Sequence, residues 1–219
     1  MQTIDRPQCL YEDAFLLVLD KPAGLLSVPG RGPDKQDCVI NRALVHWPDA
    51  LVVHRLDMAT SGLLILARNK EVQRQLGDAF AARKVHKRYT AVVHGVVPNL
   101  PNNGWGCVEA ALVCDWERRP LQIVDPQRGK PSQTLYQRHP DQTGIPHDCT
   151  KLWLEPITGR SHQLRVHMTH IGHPMLGDAL YAPTAVIARS SRLCLHATTL
   201  KFQHPVHAQW LEIESPAPF

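Results

Sequence analysis

The stretch His54-Arg55-Leu56-Asp57-Met58-Ala59-Thr60-Ser61-Gly62-Leu63-Leu64-Ile65-Leu66-Ala67 decides how the chain is read. Leu63 to Ala67 is an apolar run bounded by polar residues, the pattern of a buried strand. Thr60-Ser61-Gly62 supplies turn chemistry directly ahead of it, so the segment before the turn is fixed to a rigid element. On that segment an imidazole, a guanidinium and a carboxylate fall within four residues. A carboxylate next to a buried strand must be paired, hydrogen-bonded or functional, because burying a bare charge costs more than packing returns. Asp57 is therefore the residue to explain.

On the N-terminal side, Phe15 to Leu19 reads as a strand closed by Asp20-Lys21-Pro22-Ala23-Gly24. A Gly/Pro-rich loop follows over 27–33, and Val39, Ile40, Ala43, Leu44 and Trp47 recur at helical spacing within 36–47. On the C-terminal side, Val72, Leu76, Ala79 and Phe80 predict an amphipathic helix over 69–83. Its exit is basic, with Arg83, Lys84, Lys87 and Arg88. Taken alone that run reads as a solvated helix end. Tyr89 to Val93 then predicts a strand that begins where the basic loop becomes sheet.

The middle third is less regular. A turn-rich connection is expected over 98–106, a short strand over 107–113, and loops over 114–120 and 129–132. Strands are expected over 133–137 and 151–155. Ser161 reads as the N-cap of a helix with a buried stripe of Leu164, Met168 and Ile171, stopped by Gly172, with His162, Arg165 and Thr169 on another shared face. Short apolar elements at 193–195, 200–202 and 210–214 complete the chain. Strands outnumber helices and are often sequential, so the expected class is α+β with a mixed, mainly antiparallel sheet.

Composition bounds the function. The 219 residues are 43% hydrophobic and 20% charged, as in ordinary soluble globular chains. The N-terminal residues carry acids and no signal-peptide core, and apolar runs are too short to span a bilayer, so a cytoplasmic, membrane-free protein is expected. The six cysteines include no C-x-x-C pair and read as reduced thiols. A net charge of +4 permits an anionic partner without demanding one.

Several chemistries fail on spacing. His54 to Asp57 reads H-R-L-D where a kinase loop has H-R-D, and no D-F-G accompanies it. Gly129-Lys130 lacks the upstream glycine of a phosphate loop. His162, His167, His170 and His173 do not match H-E-x-x-H, and no carboxylate or cysteine interleaves. No metal is expected, and His167 and His170 read as solvated or phosphate-contacting. A histidine-dependent metallohydrolase is the enzyme class this sets aside.

The spread of motifs is more specific than any one. Lys21-Pro22-x-Gly24-Leu25, His54-Arg55-Leu56-Asp57-x-x-Thr60-Ser61-Gly62, Lys87-x-Tyr89-x-Ala91-x-Val93-x-Gly95 and Gly159-Arg160-x-His162-Gln163-Leu164-Arg165-x-His167 resemble, in order and spacing, the RluA family of pseudouridine synthases. The resemblance runs from about Tyr11 to the C-terminus. Leu26 to Arg31 and Cys114-Asp115-Trp116 with Arg119-Pro120 look like the branch acting on both ribosomal and transfer RNA. Asp20 stands where the family often has asparagine, beside the Lys-Pro segment that lines the family's ligand.

This resemblance implies a pseudouridine synthase fold with its catalytic cleft across the sheet, in a single domain with no N-terminal S4-like domain. It implies cofactor-independent isomerisation of uridine: cleavage of the N1 glycosidic bond, rotation of the uracil and reattachment through C5. Asp57 matches the essential carboxylate, acting as a nucleophile on sugar or base or taking a ribose proton. Each route needs it ionised, which a paired arginine favours. Arg165 matches the arginine in that role. Tyr89 matches the tyrosine that stacks on the target base, although alone it would read as a strand-core aromatic. The target uridine must be flipped out of its stem or loop. Arg55 matches the residue that fills the vacated space, and His54, Arg31, Lys84, Lys87, Arg88, Arg160 and His162 are further RNA-contact candidates. The competing reading is a non-catalytic RNA-binding protein or chaperone on the same fold. The expected partner is a ribosomal or transfer RNA stem-loop, and the expected state is a monomer.

Overall fold

The computed structural model describes residues 6–101 and 104–219. In chain order the first elements are β1 (Gln8–Glu12), β2 (Leu16–Lys21), a 3-10 turn (Pro33–Lys35), α1 (Val39–Leu44), β3 (Leu51–Val52), β4 (Ser61–Ala67) and α2 (Lys70–Ala81). Next come β5 (His86–His94), β6 (Gly106–Glu109), β7 (Leu112–Cys114), β8 (Gln122–Val124), β9 (Gln133–Arg138) and β10 (Cys149–Pro156). The chain ends with α3 (Gln163–His170), α4 (Thr184–Ile187), β11 (Leu195–Gln203) and β12 (Trp210–Glu214). Twelve strands against four α-helices among the described residues make the class α+β. Two positions of the predicted 98–106 connection, 102 and 103, lie outside the described residues.

The chain divides into two compact units, Met1–Lys87 with His196–Pro218, and Arg88–Leu195 with Phe219. In the first, β2 pairs antiparallel with β1 and β4, and β11 pairs parallel with β4 and antiparallel with β12. Strand β4 is buried at every residue, as its unbroken apolar run requires. The turn ahead of it lies earlier than expected, at Met58 and Ala59: Thr60 N–H donates to Asp57 O at 3.1 Å, and Ser61 and Gly62 already belong to the strand. Gly62 adopts φ 107°, and a Cβ there would collide with the Ala197 backbone, so glycine permits the close approach of β11. Strand β2 runs on through Asp20 and Lys21 rather than stopping before them. Edge strand β1 lacks an apolar signal, since only alternate residues are half-buried. Helix α1 spans six residues because Cys38 is already extended, and α2 is capped by Asn69 Oδ1 accepting from Val72 N at 2.8 Å.

In the second unit β10 pairs antiparallel with β5 and β9, and β9 with β6. The strand expected over 107–113 divides into β6 and β7, and β7 leaves to form a two-stranded hairpin with β8. Helix α3 departs from expectation at its start. Its N-cap is His162, in the left-handed conformation at φ 55° with no side-chain cap bond, rather than Ser161. Gln163 Oε1 instead accepts from Arg160 N at 3.0 Å and Thr158 Oγ1 at 2.8 Å. Gln163 through Met168 are all buried, so the helix has no narrow apolar stripe and Arg165 is not on a solvent face.

Candidate active site

In the first unit, the turn bearing Asp57 is held on both sides of that residue. Leu56 is gripped by the buried Ser27 hydroxyl, which donates to Leu56 O at 2.8 Å and accepts from Leu56 N at 3.1 Å. Met58 O accepts from Gly24 N at 2.8 Å and from Lys21 Nζ at 3.0 Å. Lys21 is wholly buried, and its ammonium also donates to Pro22 O at 2.9 Å and Leu25 O at 2.7 Å. Three carbonyls meet the three donors of an ammonium, which makes burial of the charge tolerable. The Lys-Pro-x-Gly-Leu segment therefore clamps the turn that carries Asp57. Asp57 itself is half-buried and Arg55 is exposed.

His54 joins β4 and α2. Its Nε2 accepts from Ile65 N at 3.0 Å, and its ring stacks on Phe80 with centroids 4.5 Å apart. An imidazole that accepts at Nε2 is neutral there, and desolvation, followed by the nearby Lys87 charge, pushes its pKa down to about 3. His54 thus anchors the start of the motif to β4. Burial also lowers the pKa of Lys87. Lys84 and Arg31 are exposed.

In the second unit, Arg165 lies on α3 in a buried two-pronged pair with Asp178, Nε to Oδ2 at 2.9 Å and Nη2 to Oδ1 at 2.6 Å. Asp178 Oδ1 also accepts from Leu180 N and Tyr181 N, and the Arg165 guanidinium lies 5.0 Å from the Tyr181 ring centroid. Tyr181 Oη accepts from Gln122 N at 2.9 Å and is hydrogen-bonded to His162 Nδ1 at 2.5 Å. This ties the β7–β8 hairpin to the entry of α3. Tyr89 is half-buried in β5 opposite Leu154.

Arg88 has partners within the second unit. It pairs with Glu155, Nη2 to Oε1 at 2.7 Å, and its guanidinium carbon lies 4.8 Å and 5.6 Å from the ring centroids of Trp153 and Trp105. Arg160 is exposed. His167 corrects the expectation of a solvated side chain: it is fully buried, donates from Nε2 to Ala110 O at 3.3 Å, and burial lowers its pKa. His170 is exposed. The four histidines from 162 to 173 gather no donor cluster among the described residues. The cluster that does form, His94 with Asp148 and Cys149, is already met by a cation, since Arg189 binds Asp148 through two nitrogens at 2.7 Å.

Ser27, Asp178 and Tyr181 hold the candidate site residues or their neighbours and were missed by sequence reasoning. A signal for Asp178 exists: a carboxylate directly after Met175-Leu176-Gly177 in an apolar setting requires a cation, and the arginine is on the preceding helix. Ser27 carries no such signal, because a lone hydroxyl in a Gly/Pro loop has many uses.

The RNA pseudouridylate synthase family model matches residues 15–170, which takes in the Asp57 turn, Tyr89 and Arg165. The chain belongs to that family. As an RNA pseudouridine synthase it is an isomerase. It is 45% identical over 212 residues to the dual-specificity RNA pseudouridine synthase RluA of Pasteurella multocida, covering 95% of this chain and 92% of that one. The RluA of Escherichia coli strain K12 is 44% identical over 213 residues, covering 96% and 93%. Among solved structures, human RNA pseudouridylate synthase domain containing 1 is similar with a TM-score of 0.77 and 28% identity, covering the whole of this synthase and 86% of that chain. The synthase fold is thus the expected one, and its mixed, largely antiparallel sheets carry it.

Proposed function

We propose that this pseudouridine synthase acts on uridines in both ribosomal and transfer RNA, with Asp57 as the essential carboxylate, Arg165 and Tyr89 as the other catalytic residues, and no metal or organic cofactor. The observation that carries the assignment of Asp57 is the clamp on its two neighbours, Leu56 by Ser27 and Met58 by Lys21 and Gly24. A carboxylate that must meet a reacting sugar or base works best when its backbone is held before substrate arrives. The dual-specificity relatives, matched over nearly their whole length, support the two RNA classes.

In this reading the RNA places a flipped uridine at Asp57, which attacks sugar or base or removes a ribose proton as the N1 glycosidic bond breaks. Any bond Asp57 has formed to sugar or base is released as the detached uracil turns and rejoins through C5. The C5 proton is then lost to water while N1 takes one up, so that the product is an isomer of the substrate. Tyr89 offers an aromatic face for the uracil. Arg165 serves as the family's arginine, with the plane of its guanidinium set by Asp178. Arg55 fills the space left by the flipped base, and the exposed Arg31, Lys84 and Arg160 contact phosphate. The protein acts as a cytoplasmic monomer. Among the described residues no helix is long and apolar enough to cross a membrane.

The test is site-resolved pseudouridine mapping of ribosomal and transfer RNA from cells lacking the protein, complemented with the native chain or Asp57→Ala. Loss of sites in both RNA classes, restored only by the native chain, supports the proposal. Restoration by Asp57→Ala removes Asp57 from its role, and loss confined to one RNA class removes the dual specificity.

A further inference from the structure

Behind the Asp57 turn the first unit contains a line of polar side chains that the isomerisation reading does not use. Ser61 Oγ lies 2.8 Å from His196 Nδ1, and His196 Nε2 lies 3.1 Å from Ser215 Oγ. Ser215 Oγ in turn donates to Asp20 Oδ2, the shortest contact of the three. Ser61, His196 and Ser215 are each at most 3% exposed. The four residues come from β4, β11, the residue after β12, and β2. Ser215 is itself fixed by its N–H donating to Thr198 O at 2.9 Å.

The direction of this line follows from donor and acceptor inventory. An ionised carboxylate has no proton to give, so Ser215 must donate to Asp20. A hydroxyl has one proton, so its oxygen then accepts from His196, and Nε2 carries the hydrogen. A neutral imidazole with Nε2–H has a lone pair at Nδ1, and Ser61 must donate to it. The carboxylate at one end thereby dictates the orientation of the hydroxyl at the other. Ser61 is the first residue of β4, separated from Asp57 only by the turn closed by the Thr60 N–H to Asp57 O bond.

We propose that Asp20 is a positioning residue for the synthase: through Ser215 it holds His196 as the Nε2–H tautomer and Ser61 as a donor, and so keeps the base of the Asp57 turn in one hydrogen-bonded state. This rests on the reading of Asp57 as the catalytic carboxylate. An asparagine at position 20 keeps the shape but can present its amide N–H to Ser215, and then the whole line can reverse. Ser215 would donate to Nε2, and His196 would donate from Nδ1 to Ser61. The amide therefore admits two states where the carboxylate admits one.

The test uses the full chain with 15N-labelled histidine, the His196 side-chain signals being assigned by their loss in His196→Gln. The native protein is expected to show Nε2 protonated and Nδ1 bearing the lone pair. Asp20→Asn is expected to give the opposite tautomer or a mixture. It should also lower the single-turnover rate at saturating RNA stem-loop by roughly tenfold while leaving RNA affinity unchanged. Ser215→Ala should uncouple the tautomer from position 20, and Ser215→Thr, which retains the hydroxyl, should restore the native pattern. A doubly protonated His196 in the native chain overturns the proposal, as does an unchanged tautomer or an unchanged rate in Asp20→Asn. Asp57→Ala, measured in parallel, separates the two readings. Full activity in that variant defeats the catalytic assignment while the tautomer result stands by itself.

Discussion

The ammonium of Lys21 donates to the carbonyl of Met58, 37 residues away and next to Asp57 in the chain, from a position with no exposure to solvent. A charge at the end of an apolar strand has become the clasp of the motif turn. Its other two donors are spent on Pro22 and Leu25, so one side chain shapes the Lys-Pro loop and joins it to the turn.

Lys21→Met keeps the length and removes the donors. Met58 O retains Gly24 N, but Pro22 O and Leu25 O lose their bonds to the Lys21 ammonium, a hydrogen bond to a charged group contributing about 1.5–3 kcal/mol. Denaturant unfolding should show a loss of about 2–4 kcal/mol. The single-turnover rate should fall in the folded variant, because the turn is released. Unaltered stability would mean that the loop repacks around the missing ammonium.

The His54 imidazole makes a prediction about acid. Its pKa in the fold is depressed from 6.5 to about 3, so over that interval the unfolded chain binds the proton and the folded chain does not. The contribution of the neutral ring is thus fully present above about pH 6.5 and is lost progressively as pH falls toward 3. His54→Gln retains an acceptor for Ile65 N and has nothing to titrate. Stability measured against pH should therefore fall less steeply in the variant than in the native chain within this window. Parallel curves would show that His54 is already charged in the fold.

Arg165 and Asp178 form a buried pair, their side chains 4% and 0% exposed. Removing one partner leaves an uncompensated charge, at a cost of about 3–5 kcal/mol. Asp178→Ala should therefore be strongly destabilising, and the double variant with Arg165→Met should recover part of the loss. A thermodynamic cycle in urea checks this, and simple additivity of the two single changes would deny the coupling.

The basic residues separate into two classes by their neighbours. Arg88, between Trp153 and Trp105 and paired with Glu155, should affect folding when changed to alanine while leaving the salt dependence of RNA binding unchanged. The exposed Arg31 should behave oppositely. Arg31→Ala should weaken binding to all RNA sequences alike and lower the slope of log affinity against log salt by about one. Binding titrations at several salt concentrations distinguish these outcomes.

What the sequence by itself determined is local: the buried run of β4, the amphipathic face of α2, and the order of motifs that identifies the family. Each is written in neighbouring residues, through side-chain periodicity or turn chemistry. Tertiary structure alone decided which polar groups meet. Lys21 reaches Met58, Arg165 reaches Asp178 and Ser61 reaches His196 across 37, 13 and 135 residues. It also joined His54 to Ile65 and Arg88 to Glu155, gave α3 a left-handed His162 in place of a Ser161 cap, and divided the strand expected at 107–113. The physical reason is that hydrophobic patterning shows which face of an element is buried, whereas a buried polar group is satisfied by whatever donor or acceptor the packed fold brings within about 3 Å.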